Sequence, residues 1–183
     1  AFAREGAKIV VADISPDGGN ETVRQVREAG GEAEFVHADV TNNDHIAHLV
    51  SSALDRFGSI DILCNNAGIA GMLKPALEVT EESWDRVISV NLKSVFMVSR
   101  AVIPVMLRKG KGVIINTASA AGVIASNAGC EYTAAKHGVI GLTKQLAFEY
   151  GKRGIRVVAI SPGVIETKHT ENMTYEGGPF HDL

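Results

Sequence analysis

Three side chains in the second half of the sequence have the types and the spacing that proton transfer requires. Tyr132 and Lys136 are four residues apart, and residues at this spacing share one face of a helix, so the hydroxyl and the ammonium can be neighbours. A free tyrosine, with a pKa of about 10, is a poor base at neutral pH, but a nearby cation favours its phenolate. Ser119, thirteen residues before Tyr132, could hold a substrate oxygen with which Tyr132 exchanges a proton. The alternative interpretation of the Tyr132–Lys136 pair is an exposed helical pair without a role.

Five apolar runs rich in β-branched residues predict the strands that would position these side chains. They span residues 8–13, 33–38, 60–65, 113–117 and 155–161. Four of the five are nearly continuous, which is typical of strands buried on both faces of a parallel sheet. Helical periodicity predicts helices between them, at 16–29, 44–57, about 81–109 and 132–152. Strands that alternate with helices predict one doubly wound α/β domain with a parallel sheet, over residues 1–183.

Local signals indicate where these helices begin and end. The expected N-caps are Ser15 before Pro16, Thr41 or Asn42, and Thr80. The expected ends are at Gly30, Gly58, Gly110 and Gly151. The first six residues are typical of the end of a further helix. Pro104, inside the third helical segment, is expected to kink it or to divide it into two helices.

The composition excludes several classes of protein. With 183 residues, 45% hydrophobic and 21% charged, the chain has enough apolar material for a core and is not globally disordered. A net charge of −3 without a basic block argues against a nucleic-acid partner. No uninterrupted apolar run approaches the roughly 18 residues that cross a bilayer, so no membrane partner is expected. Two cysteines, Cys64 and Cys130, give no disulfide framework and favour a cytoplasmic location.

The carboxyl ends of the strands are where such a sheet binds ligands. Asp13 ends the first run, and it could accept the two ribose hydroxyls of an adenosine or could simply cap the next helix. Asp39 and Val40 follow the second run and could contact an adenine edge. The third run ends in NNAG at 65–68. Its small residues would let a flat ligand approach and its asparagine amides could join neighbouring strands, although the same string could be a turn.

Together these residues resemble the short-chain dehydrogenase/reductase family. In chain order, the matching residues are Asp13, the NNAG at 65–68, Asn91 in VNLKSVF, Ser119, Tyr132, Lys136 and SPGVIET at 161–167. The resemblance covers the chain from the first strand run to about Thr167. It implies a Rossmann-type fold and an NAD-dependent oxidoreductase that interconverts a secondary alcohol and a ketone.

The same resemblance assigns roles to individual residues. Tyr132 would be the general acid/base. Lys136, together with the positive nicotinamide, would lower its pKa and would also contact the nicotinamide ribose. Ser119 would hold the substrate oxygen, and Asn91 would hold a water that completes a proton relay; this last role comes from the family alone. The cofactor contacts would be Asp13 and Ile14, which imply NAD over NADP, Asp39 and Val40 at the adenine, and Asn66, Ala67, Gly68, Pro162, Gly163, Ile165 and Thr167 around the nicotinamide and its ribose.

Other chemistry-bearing residues have plainer interpretations. His37, His45 and His48 form no metal-ligand cluster, the last two being expected on a solvated helix face, so no metal is expected. His137 points off the shared Tyr132–Lys136 face and is expected to be structural. Cys130 could line a substrate pocket but is better interpreted as a small apolar filler. The resemblance implies that residues 168–183 are a mobile substrate-covering segment, with Met173, Tyr175 and Phe180 as candidate contacts; the alternative is disorder.

The sequence also departs from the family. It contains no Thr-Gly-xxx-Gly-x-Gly turn to hold a pyrophosphate, and the family's first strand with that turn and its last strand would lie outside it. Two interpretations follow: a portion of a longer, normal enzyme, which we favour because the catalytic residues are intact, or a short product that binds a dinucleotide weakly. The rival functions are a non-catalytic or regulatory domain and an NADP-dependent ketone reductase. A homo-oligomer, tetramer or dimer, would be built on the helices at about 91–109 and 132–152.

Overall fold

The computed structural model describes residues 1–165, so the predictions on Thr167 and on residues 168–183 lie outside the described residues. Every predicted strand and helix within that range is present. The strands are β1 (Ile9–Asp13), β2 (Ala33–His37), β3 (Ile62–Asn65), β4 (Gly112–Thr117) and β5 (Ile155–Ile160). The α-helices are α1 (Pro16–Glu28), α2 (Asn43–Phe57), α3 (Glu81–Ile88), α4 (Ser94–Lys109) and α5 (Cys130–Tyr150). A short 3₁₀ turn at Phe2–Glu5 matches the predicted helix end at the start of the chain.

All strand pairings among the described residues are parallel, which confirms the predicted Rossmann-like α/β fold. β1 pairs with β2, with Asp13 opposite His37. β4 lies between β3 and β5, so that Asn65 is opposite Asn116 and Thr117 is opposite Ile160. Within residues 1–165 these are two hydrogen-bonded groups, β1–β2 and β3–β4–β5. The carboxyl ends of β3, β4 and β5 therefore meet at one edge.

Burial of the strands follows their position in these groups. Ile114 of the central strand β4 is fully buried, whereas Ile62 of β3 and Ile160 of β5 are exposed. The prediction of strands covered on both faces thus holds best for β4. The neighbouring strands β3 and β5 each have one edge without a hydrogen-bonded strand among the described residues, and are therefore less covered.

Three of the helices begin at the predicted caps. Ser15 Oγ accepts the Gly18 N–H at 3.3 Å and Thr80 Oγ1 accepts the Ser83 N–H at 3.1 Å. Of the two candidates for α2, Asn42 is the cap, because its Oδ1 accepts the Asp44 N–H at 2.8 Å. Each cap pairs a backbone donor that the first helical turn leaves unbonded.

The predicted helix end at Gly151 is confirmed, because α5 ends at Tyr150 and Gly151 is its C-cap, with φ −57°. The chain continues as a 3₁₀ turn to Gly154, whose φ is 83°. A side chain on Gly154 would collide with the carbonyl of Gly110, so this close approach requires glycine. Of the two outcomes expected at Pro104, the division into two helices is wrong: α4 runs through it, with Pro104 on the exposed face, where water can solvate the carbonyl left without a donor.

The deviation from α-helical geometry lies earlier, at Ser89–Lys93, which is a π-helical turn between α3 and α4. The continuous helical stretch Glu81–Lys109 is long and apolar enough to cross a membrane by length and composition alone. In the fold, however, Val98, Val102 and Met106 of this stretch are buried in the main core against Ile114. Packing against the sheet therefore accounts for its apolar character.

Candidate active site

The edge formed by the carboxyl ends of β3 and β4 receives the first turns of α5. Ser119 follows β4 directly and opens the 3₁₀ turn Ala120–Gly122, whose Ala121 N–H its own Oγ accepts at 3.2 Å. Tyr132 and Lys136 lie on α5 one turn apart, with the Lys136 Nζ 5.5 Å from the centre of the Tyr132 ring. The structure therefore brings the three predicted proton-transfer residues together.

Lys136 is held by the strand next to it. It is buried, and its Nζ donates a hydrogen bond of 2.7 Å to the carbonyl oxygen of Thr117, the last residue of β4. Burial lowers the pKa of Lys136 to about 8, because desolvation penalises the ammonium. The side chain is therefore held in a defined orientation, and its ammonium loses a proton more easily than that of a surface lysine.

Tyr132 is not an activated base in the protein alone. Burial raises the pKa of its phenol above 10.0, and a hydrogen bond with the Ser119 side chain offsets only part of that rise. The neighbouring Lys136 does not bring the pKa of Tyr132 below its ordinary value. This agrees with the sequence argument that a lysine by itself is not sufficient and that a further positive charge must adjoin the phenol.

Asn91 lies in the π-helical turn and is fully buried. Its Nδ2 donates to the Ile69 carbonyl and its Oδ1 accepts the Ile69 N–H, both at 2.8 Å. The amide therefore fixes the loop that follows NNAG. The structure shows a positioning role for Asn91, and the water-holding role stays a prediction.

A chain of hydrogen-bonded, buried polar side chains next to the site connects strands β3 and β4 to helices α4 and α5. Asn65 Nδ2 donates to Asn116 Oδ1 at 2.8 Å and to Ser99 Oγ at 3.0 Å. Asn116 Nδ2 then donates to Thr143 Oγ1 at 2.9 Å. The predicted joining of neighbouring strands by the NNAG asparagines is thus observed at Asn65. Asn66 contributes from the next position, since its Oδ1 accepts a hydrogen bond from Thr117 Oγ1 at 3.1 Å.

The predicted adenosine contacts lie at the ends of β1 and β2. Asp13 is not the cap of α1; that cap is Ser15, whose backbone N–H Asp13 Oδ1 accepts at 2.8 Å. Ile14 beside it is 63% exposed. Asp39 faces Thr41, whose hydroxyl and N–H lower the pKa of the carboxyl. Val40 packs in part against the main core.

The nicotinamide end has room for a flat ligand. A β-carbon on Gly68 would lie 3.3 Å from Asn91 Oδ1 and 3.8 Å from Lys136 Nζ, so the missing side chain keeps the space beside the lysine open. Ala67 and Gly68 are exposed, as are Gly163 and Ile165 after β5. Pro162 is fixed from the other side, because its carbonyl accepts the Ala120 N–H at 2.8 Å. These residues fit the nicotinamide riboside part of a dinucleotide.

Residues 1–165 contain no glycine-rich turn at a helix N-terminus that could bind the pyrophosphate of a dinucleotide. The described helix that follows β1 begins with Asp17 in its first turn, and an anion at that place would repel a phosphate. The described residues therefore include the predicted contacts to the two ends of a dinucleotide and none to its centre.

Two of the remaining histidines make hydrogen bonds within the fold. The prediction that His45 lies on a solvated helix face is wrong: its Nδ1 accepts the Asp39 N–H at 3.1 Å, and its ring contacts that of His37 edge-on at 5.7 Å. His137 bonds the Thr133 carbonyl through Nδ1 at 2.9 Å. Among residues 1–165 no three His, Cys, Asp or Glu side chains form a group that could hold a metal.

Sequence reasoning overlooked Glu131, the residue directly before Tyr132. Its side chain is fully buried at the first turn of α5, and its Oε1 accepts the Met72 N–H at 2.6 Å. A carboxylate next to the key tyrosine was visible in the sequence. Nothing there indicated that it is buried, because charged residues near a helix start are usually solvated.

Comparison with known proteins extends the local match over most of the chain. The short chain dehydrogenase family model matches residues 1–176. Levodione reductase of Leifsonia aquatica is 41% identical over 173 residues, which are 93% of this chain and 65% of that protein. The chain therefore spans less than two thirds of the length of this relative.

Solved structures agree with the sequence relatives. The crystal structure of levodione reductase matches with a TM-score of 0.91 at 39% identity, covering 94% of this chain and 68% of that chain. NAD⁺-bound xylitol dehydrogenase matches with a TM-score of 0.88 at 35% identity, covering 91% of this chain and 64% of that chain. A gluconate 5-dehydrogenase from Burkholderia cenocepacia, in complex with NADP and tartrate, matches with a TM-score of 0.90 at 31% identity, covering 99% of this chain and 70% of that chain. By its fold, the cluster of Ser119, Tyr132 and Lys136, and these matches, the chain belongs to the short-chain dehydrogenase family.

Proposed function

We propose that this protein is an NAD-dependent oxidoreductase that interconverts a secondary alcohol and a ketone. The observation that carries the proposal is the convergence of Ser119, Tyr132 and Lys136 at the carboxyl end of β4, beside the open space at Gly68. These groups can bind one substrate oxygen and move one proton at it. A nicotinamide bound at this edge supplies the hydride chemistry, at its C4 atom.

The protein's own side chains divide the work at the substrate oxygen. In alcohol oxidation the Tyr132 phenolate accepts the hydroxyl proton, and in ketone reduction the phenol returns it. Ser119 holds the same oxygen through its hydroxyl. The Lys136 ammonium, fixed on the Thr117 carbonyl, provides one of the two positive charges that lower the pKa of Tyr132 in the loaded site.

NAD is proposed over NADP because of Asp13. Its carboxylate lies at the end of β1, held by the Ser15 N–H, where it can accept ribose hydroxyls and would repel a 2′-phosphate. The solved relatives include one protein described with NAD⁺ and one described with NADP, so the family alone does not decide. The proposal of NAD therefore rests on the carboxylate of Asp13.

The proposal includes a cytoplasmic homo-oligomer. Phe96 on α4 and Phe148 on α5 are exposed, the latter by 83%, and exposed aromatic side chains on long helices are typical of subunit interfaces. Both cysteines are free, as expected in a reducing compartment. Light scattering of the purified full chain tests the assembly; a monomer at micromolar concentration would contradict it.

The experiment that tests the function is a panel of secondary alcohols assayed with NAD, with NADH formation followed by absorbance. NADH binding to the same preparation, followed by fluorescence, separates the alternatives. Turnover of any panel member supports the proposal. A full chain that binds neither NADH nor NADPH would instead identify a non-catalytic or regulatory domain, and tighter binding of NADPH would identify an NADP-dependent reductase.

A further inference from the structure

Glu131 is a buried carboxylate whose shorter hydrogen bond comes from a residue outside its own helix. Its Oε1 accepts the Met72 N–H at 2.6 Å, and Met72 is 59 residues away along the chain. Its Oε2 accepts a weak hydrogen bond from the Cys130 thiol at 3.6 Å. Burying a carboxylate is costly unless it is hydrogen-bonded, so a group with these partners has a defined place and is not a surface charge folded inward.

Two glycines make room for this carboxylate. A β-carbon on Gly71 would lie 2.6 Å from Glu131 Oε1, and one on Gly129 would lie 3.0 Å from Oε2. Gly129 also has a φ of 89°, which disfavours any other residue. The loop after β3 and the segment before α5 are therefore both shaped around the same side chain.

The loop that Glu131 holds starts beside the site. It begins after Gly68, which lies beside Lys136, and it is anchored at Ile69 by Asn91 and at Met72 by Glu131. Between these anchors it lines a cavity of about 220 Å³ whose other wall is α3. The lining residues are Ile69, Ala70, Gly71, Met72, Ser83, Arg86 and Val87.

We propose that Glu131 is a positioning residue that determines substrate specificity by fixing the loop 69–72 against the start of α5. The proposal rests on the oxidoreductase function above, since it concerns which alcohol reaches Tyr132. Tyr132 follows Glu131 in the same helical turn, so the hydrogen bond to Met72 sets the distance between the loop and the reacting phenol. A purely structural carboxylate would affect the amount of folded protein without altering the choice of alcohol.

The test compares Glu131→Ala, Glu131→Gln and the control Glu149→Ala, whose glutamate is exposed on the same helix. The assay uses the full chain with NAD, and cyclopentanol and cyclohexanol as alcohols. Losing the hydrogen bond to Met72 should raise the KM for alcohol by about tenfold and change the preference between the two rings, with the KM for NAD unchanged. Glu131→Gln, whose amide oxygen can still accept the Met72 N–H, should stay within about threefold of the parent protein. A lower kcat with unchanged KM and unchanged ring preference in Glu131→Ala would overturn the proposal.

Gly71→Ala tests the same contact without removing the carboxylate. The added methyl group must displace either the loop or the Glu131 carboxylate, and both movements disturb the hydrogen bond to Met72, so the KM and the ring preference should shift as in Glu131→Ala. This variant decides the question if Glu131→Ala does not fold; unchanged kinetics in a folded Gly71→Ala protein would refute the role.

Hydrogen exchange separates failure of this inference from failure of the proposed function. If the parent protein oxidises no alcohol, the function fails. The contact itself is then judged by amide exchange, which should accelerate at residues 69–72 in Glu131→Ala and not in Glu149→Ala. Equal exchange of this loop in all three proteins would remove Glu131 from any positioning role.

Discussion

A β-carbon on Gly122 would lie 2.7 Å from the carbonyl oxygen of Lys136. The backbone of the turn after β4 therefore contacts the backbone of α5 at Gly122, which lies three residues after Ser119. This close approach limits how far the turn that carries Ser119 can shift relative to α5, which carries Tyr132. The relative placement of the two groups thus depends on the absence of one methyl group.

Gly122→Ala should separate the turn from α5. We expect a loss of about 1–3 kcal/mol in the free energy of unfolding, as for other overpacked sites, together with a reduced kcat. Urea denaturation and steady-state kinetics measure the two effects. Gly141→Ala is the matched control: it lies within α5, its β-carbon would meet nothing within 4 Å, and it should be neutral or slightly stabilising. Equal stability of both variants would contradict the contact.

Tyr132→Phe removes the hydroxyl that exchanges the proton. The kcat should fall by about 10²–10⁴-fold, the usual contribution of a general acid/base, while NADH affinity changes little. Stopped-flow or steady-state assays with fluorescence titration measure both quantities. Tyr150→Phe at the end of the same helix should keep the parental kcat. Near-parental turnover in Tyr132→Phe would exclude this hydroxyl from the reaction.

Lys136→Met should lose activity and gain stability. Burial lowers the pKa of Lys136 from 10.5 to about 8, and each tenfold change in proton affinity corresponds to about 1.4 kcal/mol, so keeping the ammonium charged costs up to ~3 kcal/mol. Part of that gain is offset by the lost hydrogen bond to Thr117, and we expect the variant to be about 1–2 kcal/mol more stable at pH 7.

The pH dependence of that difference follows from the direction of the change. The folded state releases the proton near pH 8 and the unfolded state near pH 10.5, so the cost of the charge is complete below pH 8 and disappears towards pH 10.5. The stability difference between variant and parent should therefore shrink as the pH rises through this interval. A difference that stays constant from pH 7 to pH 10.5 would be inconsistent with a buried ammonium.

Asp13→Ala should relax the cofactor preference. Without the carboxylate, NADPH is no longer repelled and NADH loses its ribose acceptor, so the ratio of the two dissociation constants should move towards one. Fluorescence titration with both cofactors measures the ratio. Asp55→Ala, which removes an exposed carboxylate from α2, serves as the control. An unchanged ratio in Asp13→Ala would assign the preference to other residues.

Local signals in the sequence predicted the frame of this fold well. Ser15 and Thr80 cap helices as expected because a cap needs only a side-chain oxygen within three residues of a backbone donor. Pro104 misled the prediction, since a proline on an exposed helical face leaves its orphaned carbonyl to water. The order and type of the strands followed from their apolar runs, and the family resemblance was confirmed by comparison.

The contacts that shape the site could not be predicted in the same way. Asn91 bonds Ile69 and Glu131 bonds Met72, over 22 and 59 residues, and no local pattern encodes such partners. The π-helical turn at Ser89–Lys93 likewise has no proline or glycine to announce it. These features arise from tertiary packing around the site.

The wide turn at Ser89–Lys93 has a consequence for the length of the chain. A π-helical turn holds more residues than an α-helical turn, so removing one residue there would leave a continuous and ordinary α-helix from α3 into α4. Each residue of an α-helix rotates the chain by about 100°, so such a deletion would turn Asn91 away from Ile69. The helix would survive the loss of a residue and the hydrogen bonds to Ile69 would not, so the number of residues in this turn matters as well as the identity of Asn91.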